Sequence, residues 1–345
     1  MRIKKNLLFL SLCLMITLLM GCTLGSTPAP ASTEVPTVAV TSGPTAIAHT
    51  VIPVDLPAER SSHAGDNDSS VTASKKVAAG GDRFTYGRFE RPFNANTMDM
   101  YFSQLDIVDT FVYQDDTWIF GKIMLNKLDS SNTQGSNYAL ELDFDRDGKG
   151  DWLVIASNPA STDWTVNGVK VYQDANKDVG NKTAMFSDKN ATGDGYETLV
   201  FDQGTGNDPD TAWVRLSPTE PNTVEIAIKR SVLGDTQKYL IDMWAGTSLL
   251  DPALFDINDH FTHEQAGAAD AGLELFYPIK QVSEIDNSCK MAVGFEPTGQ
   301  EPGLCETLIP HVPGAPIPGC NLSPAVCNPQ GMSFDSTTCT CVPVG

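Results

Sequence analysis

Between residues 82 and 285 the chain alternates short apolar runs with polar turns. In residues 138–144, Tyr138, Leu140, Leu142 and Phe144 fall at every second position, with Ala139, Glu141 and Asp143 between them. Residues 223–229 follow the same rule, with Val224, Ile226 and Ile228 on one face. Successive side chains of a strand point to opposite sides, so this alternation predicts strands with one face against a core. The same reading places strands at 118–125, 166–172, 197–202, 212–216 and 239–245, with a helical turn at 231–234. Gly, Asp and Asn collect in the breaks between runs, as turns require. Regular βα alternation is missing, so the predicted fold is all-β: an antiparallel β-sandwich over residues 82–285.

The flanks read differently. Residues 1–21 begin with Arg2, Lys4 and Lys5, run apolar from 7 to 20, and end at Gly21 before Cys22. A basic start, a short apolar stretch and a small residue at its end are the layout of an export signal. Leu19-Met20-Gly21-Cys22 resembles the lipobox of bacterial lipoproteins. The resemblance implies that Cys22 becomes the lipidated first residue of the mature chain, anchored in a cell membrane or outer membrane and facing away from the cytoplasm. Thr23 follows, and in a host with an outer membrane that implies no retention at the inner one. Residues 22–81 are rich in Thr, Ser, Pro and Ala and poor in aromatics, which predicts an extended, disordered tether. Residues 286–345 hold six of the eight cysteines: Cys289, Cys305, Cys320, Cys327, Cys339 and Cys341. An even number crowded into a Pro- and Gly-rich stretch of an exported chain predicts a small segment held by three disulfides.

Charge narrows the partners. The formal net charge is −20, with 43 Asp and Glu against 23 Lys and Arg. Losing the basic leader makes the remainder more acidic still. Such a surface disfavours nucleic acid and anionic lipid headgroups. The membrane is then met through the lipid alone, and the expected partner of a surface binding module is a glycan or a surface protein.

Part of the acid is patterned. Asp143, Asp145 and Asp147 alternate, Gly148 follows, and Asp151 closes the stretch. Calcium takes several hard oxygen ligands on a tightly turning backbone, which carboxylates at loop positions one, three and five with a glycine at six supply. Val154 stands where an EF-hand has its bidentate Glu, and the flanks read as strands. The loop therefore resembles the DxDxDG calcium loops found between strands. The competing reading is an acidic turn whose aspartates cap backbone amides. A weaker copy follows at Asp174, Asn176 and Asp178, with Val179 in the glycine's place.

Other chemistry is thinner. His260 and His263 are three apart and do not form HExxH. No nucleophile elbow or phosphate loop occurs in a strand-to-helix context. Asp and Glu are so frequent that a pair resembling a glycosidase dyad carries little weight. Trp152 and Trp164 flank the acidic loop and its successor and are the candidates for stacking on a sugar, against a competing role in packing. The predicted function is a binding module, with a glycan-active enzyme or a ligand-free structural envelope protein as alternatives.

Three stretches, 105–121, 224–234 and 251–267, together resemble the β-sandwiches grouped as DOMON-like or family-9-like carbohydrate-binding modules. The resemblance implies a jelly-roll-like sandwich that binds sugar and, in some relatives, haem; no paired Met and His signal for haem accompanies it here. The run from Phe334 and Asp335 to Cys339, Thr340 and Cys341 resembles the small disulfide repeats of extracellular proteins. That resemblance implies that Cys339 and Cys341 each pair with Cys320 or Cys327, leaving Cys289 with Cys305.

Overall fold

The structure is a computed structural model, and it describes residues 47–76, 82, 84, 87–128, 135–179, 193–247, 250–255, 257–267, 279–299, 301–305, 332–335 and 340–343, the last two stretches as backbone. Cys22, Cys320, Cys327 and Cys339 lie outside the described residues, as do the predicted leader and the first part of the predicted tether.

Among the described residues, fourteen strands form two antiparallel sheets. In chain order they are β1 (Ser62–Gly65), β2 (Glu90–Arg91), β3 (Ile107–Gln114), β4 (Trp118–Leu125), β5 (Asn137–Asp143), β6 (Trp152–Ser157), β7 (Val169–Gln173), β8 (Thr198–Asp202), β9 (Thr205–Gly206), β10 (Ala212–Leu216), β11 (Thr223–Lys229), β12 (Tyr239–Gly246), β13 (Ile285–Asn287) and β14 (Met291–Val293). A separate hairpin joins β15 (Met332–Asp335) to β16 (Thr340–Pro343). The smaller sheet runs β1-β3-β4-β11-β10, and the larger runs β2-β13-β12-β5-β6-β7-β8-β9, with β14 also paired to β12. Short helices are α1 (Ser70–Ala73), α2 (Ile257–His260) and α3 (His263–Ala266).

Alternation explains the core between the sheets. Tyr138, Leu140 and Leu142 of β5 meet Val224, Ile226 and Ile228 of β11, with Ile119 and Ile123 of β4 and Ile241 and Met243 of β12. Gly121 is needed where the sheets come closest, because a Cβ there would overlap the Leu140 side chain. The helical turn after β11 is present at Arg230–Leu233 and ends at Gly234, whose φ of 58° favours glycine.

The larger sheet is buried on its other face as well. Ala139, Leu153, Ile155 and Trp244 point away from the central core into a second cluster with Phe84, Phe89, Phe255 and Val282. The segment around α2 and α3 supplies part of this cover. Thr262 caps α3 in a reciprocal capping box with Gln265, and Gly267 ends the helix in the left-handed conformation.

Two predicted boundaries move. The tether was expected to run to residue 81, but the described chain lies on the sandwich from Ile47. β1 pairs with β3 from Ser62 to Gly65. Asp210 accepts backbone N–H bonds from Thr50 and Val51, each 2.8 Å long, and its Oδ1 lies 2.7 Å from His49 Nδ1. Backbone pairing and polar contacts such as those to Asp210 hold this stretch, which is why its apolar-poor composition did not reveal it. The Cys-rich tail was expected from residue 286, but β13 and β14 belong to the larger sheet. The Cys289–Cys305 disulfide is formed, with Cα atoms 4.8 Å apart. It clips residues 301–305 onto the sandwich, where Cys305 N donates to Lys290 O and Lys290 N to Gly303 O.

Candidate functional site: acidic loops at one end of the sandwich

The two predicted acidic loops sit side by side. Residues 144–151 join β5 to β6, and Asp174 follows β7, the neighbour of β6. Asp174 N donates to Asp151 O and ties the loops together.

Both loops follow the same path. Asp143 accepts from Arg146 N (2.5 Å) and Gly148 N (2.8 Å). Asp174 accepts from Lys177 N (2.7 Å) and Val179 N (3.0 Å), which are the equivalent positions. Asp145 Oδ1 accepts from Asp147 N, as Asn176 Oδ1 does from Asp178 N. Arg146 and Lys177, each fourth in its loop, have φ of 65° and 60°. A short polar side chain folding back on amides ahead of it produces this turn in either sequence.

In the first loop the carboxylates converge. One oxygen each from Asp143, Asp145 and Asp151 can be chosen so that all lie within 4.8 Å of one another, close enough to share a cation. Asp147 stays outside this group and accepts from Lys149 N. Asp151 Oδ2 accepts from Phe144 N at 2.6 Å, leaving Oδ1 toward the cluster. Burial pushes the Asp143 carboxyl up to about 7, against the pull of Lys290. Burial also raises Asp151, while a hydrogen bond from Lys177 lowers Asp145. The Lys177 ammonium lies 2.9 Å from Asp145 Oδ2 and 3.7 Å from Asp151 Oδ1, on a side chain that is 66 % exposed. The loop thus holds three converging hard oxygens with an exposed ammonium beside them.

Beneath the loop is a buried ionic network that sequence reading missed. Lys290 Nζ lies 3.3 Å from Glu141 Oε2 and 3.2 Å from Asp242 Oδ1. Tyr196 Oη donates to Glu141 Oε1 at 2.6 Å, and Trp244 Nε1 to Glu141 Oε2 at 3.3 Å. Burial pulls the Lys290 ammonium down, but Asp242, Glu141 and Asp143 outweigh it and hold its pKa above the ordinary lysine value. A Cβ on Gly150 would strike Tyr196 Oη and Glu141 Oε1, so the loop passes this network only as glycine. The tail clips the loop from outside: Pro302 packs on Gly148, and Arg146 lies 5.0 Å over the Phe295 ring.

The tryptophans serve packing. Trp152 stacks on Phe144 with ring centres 6.4 Å apart. Trp164 donates Nε1 to Val54 O and carries the Arg215 guanidinium 4.4 Å over its ring. His260 ends α2, and His263 opens α3 with its ring edge-on to Phe84, 5.2 Å away. A shallow groove crosses the outer side of β5–β7, lined by Asn137, Ser157, Lys170, Tyr172, Thr247 and Asp251.

A further acidic group, Glu90, Asp106 and Asp286, is wholly buried. These residues are far apart in sequence, and no spacing could have revealed them. Comparison with known proteins finds no matching family model, no matching curated protein and no matching solved structure.

Proposed function

We propose that the chain is a lipid-anchored module at the outer side of a membrane, braced by calcium at residues 143–151, that binds a glycan in the groove on the larger sheet. The observation that carries the binding reading is the groove itself. The half-buried Tyr172 offers a ring beside amide, hydroxyl, ammonium and carboxylate groups from Asn137, Ser157, Lys170 and Asp251. Sugars need that pairing, because a ring covers their apolar face while polar side chains bond their hydroxyls. Lipidation at Cys22 would hold the groove at the cell surface.

Calcium suits the converging oxygens of Asp143, Asp145 and Asp151, all hard donors on a tight loop. The Asn176 loop has one carboxylate fewer and makes the weaker second site with Asp174 and Asp178. Lys177 competes for the first loop. An exposed ion pair of this type is worth about 0.2–1 kcal/mol. Lys177→Gln is therefore expected to tighten calcium binding by up to roughly five-fold, read by calorimetric titration; weaker binding would mean that Lys177 supports the site.

A glycan array probed with the purified chain tests the binding reading. Calcium-dependent binding that Tyr172→Ala abolishes is expected. Binding indifferent to Tyr172 moves the ligand elsewhere, and turnover of a bound glycan makes the module an enzyme.

A further inference from the structure

Glu90 on β2, Asp106 at the start of β3 and Asp286 on β13 meet where the two sheets join, with Asp66 just beyond β1. Glu90, Asp286 and Asp66 each have one oxygen held by the protein, and Asp106 has both, its Oδ1 accepting from Ser69 N at 3.4 Å. Ser69 Oγ donates to Glu90 Oε1 at 2.6 Å, Ile107 N to Asp286 Oδ2 at 2.7 Å, and Asn67 N to Asp66 Oδ1 at 2.9 Å. Tyr101 Oη donates to Asp106 Oδ2.

Three oxygens are left over. Glu90 Oε2, Asp286 Oδ1 and Asp66 Oδ2 are buried and accept no hydrogen bond among the described residues. Glu90 is 2 % exposed and Asp286 0 %. Among the described residues no Lys or Arg forms an ion pair with any of the four. Arg88 acts on Asp66 only as a more distant charge. Burying one carboxylate without a partner is costly, and native proteins pair or protonate such groups or give them to a metal. Burial pushes Glu90 up to about 10 and Asp66 to about 7, with the neighbouring acids adding to both.

We propose that Glu90, Asp106 and Asp286, with Asp66 beside them, form a second divalent-cation site, separate from residues 143–151 and selective for hard cations such as calcium. The donors are all oxygen, each carboxylate is aimed by a protein hydrogen bond, and Glu90 Oε2, Asp286 Oδ1 and Asp66 Oδ2 have no other partner among the described residues. Calcium accepts irregular sets of six to eight such oxygens, whereas magnesium demands a regular octahedron. The cation would join β1, β2, β3 and β13, and so fasten the amino-terminal segment and both sheets at one point.

The test uses the full chain with Asp145→Ala and Asp147→Ala, two exposed positions: the first takes one of the three converging carboxylates from the loop site, the second removes a further loop carboxylate, and neither enters the core. After purification in calcium and exhaustive dialysis, which empties the weaker loop at Asp174, Asn176 and Asp178, elemental analysis is expected to find a single equivalent of calcium. Terbium should replace it and give luminescence sensitised by Tyr101. Adding Glu90→Gln and Asp286→Asn should remove the equivalent and return the emission to background. A folded Asp145→Ala/Asp147→Ala chain that holds neither calcium nor magnesium and shows no saturable terbium emission overturns the proposal and assigns the nest to protonated carboxyls. A tightly held equivalent of magnesium with no exchange for calcium overturns the selectivity. If the fourfold variant does not fold, the metal content of the twofold variant decides alone.

Discussion

Lys290→Met is expected to destabilise the sandwich by about 3–5 kcal/mol, a large part of the roughly 5–15 kcal/mol a domain has. The ammonium is the one cation within ion-pair distance of both Glu141 and Asp242 among the described residues. Removing it leaves two carboxylates facing each other in a buried site. Burial already raises Asp242 well above the ordinary carboxylate range, and Glu141 raises it further. Methionine keeps the stem's packing, so the loss reports charge rather than volume. Chemical denaturation measures it. Adding Glu141→Gln and Asp242→Asn should recover much of the loss, because neutral amides no longer need a cation. A loss under 1 kcal/mol, or no recovery, would mean that the network contributes little.

Arg91→Met carries the second large effect, again about 3–5 kcal/mol. Arg91 is fully buried, and its guanidinium grips Asp82 through Nε at 2.6 Å and Nη2 at 3.1 Å. Nη1 donates to Ala266 O and Val282 O at 2.7 and 3.1 Å. The side chain thus pins the segment before β2 to the α3 end and to the approach to β13, and four bonds leave at once. Lysine cannot rebuild the fork, so Arg91→Lys should recover little. Pairing Arg91→Met with Asp82→Leu should recover more, since an apolar replacement of the whole buried pair is often neutral. Equal stability of the Lys and wild-type chains by denaturation would contradict this role.

Neither residue announces itself in the sequence. Lys290 and Glu141 are 149 positions apart, and Arg91 reaches carbonyls 175 and 191 positions away. What could be read was local. β4, β10 and β11 stand at the residues their patterns indicated, because one face of each points into the central core. β6 was not foreseen, since Leu153, Val154, Ile155 and Ala156 are all buried between two apolar layers and show no alternation. β1 offers only Ser62, His63, Ala64 and Gly65, and is a strand through backbone pairing with β3. The acidic loop was legible because its carboxylates lie within nine residues of one another in the chain. The nest of Glu90, Asp106 and Asp286 was not, because three separate strands bring it together.

Calcium at the acidic end of the sandwich underlies the proposed function, and thermal melting reads it directly. The purified chain is melted in millimolar calcium and again with EDTA, beside Asp145→Ala/Asp147→Ala. Calcium well above its dissociation constant adds about 3 kcal/mol per site, and each kcal/mol moves a domain of this size by about 2–4 °C. The wild-type melting temperature should therefore fall by several degrees in EDTA, and the variant should fall by less. Superimposable wild-type curves with and without EDTA would contradict the calcium-braced sandwich.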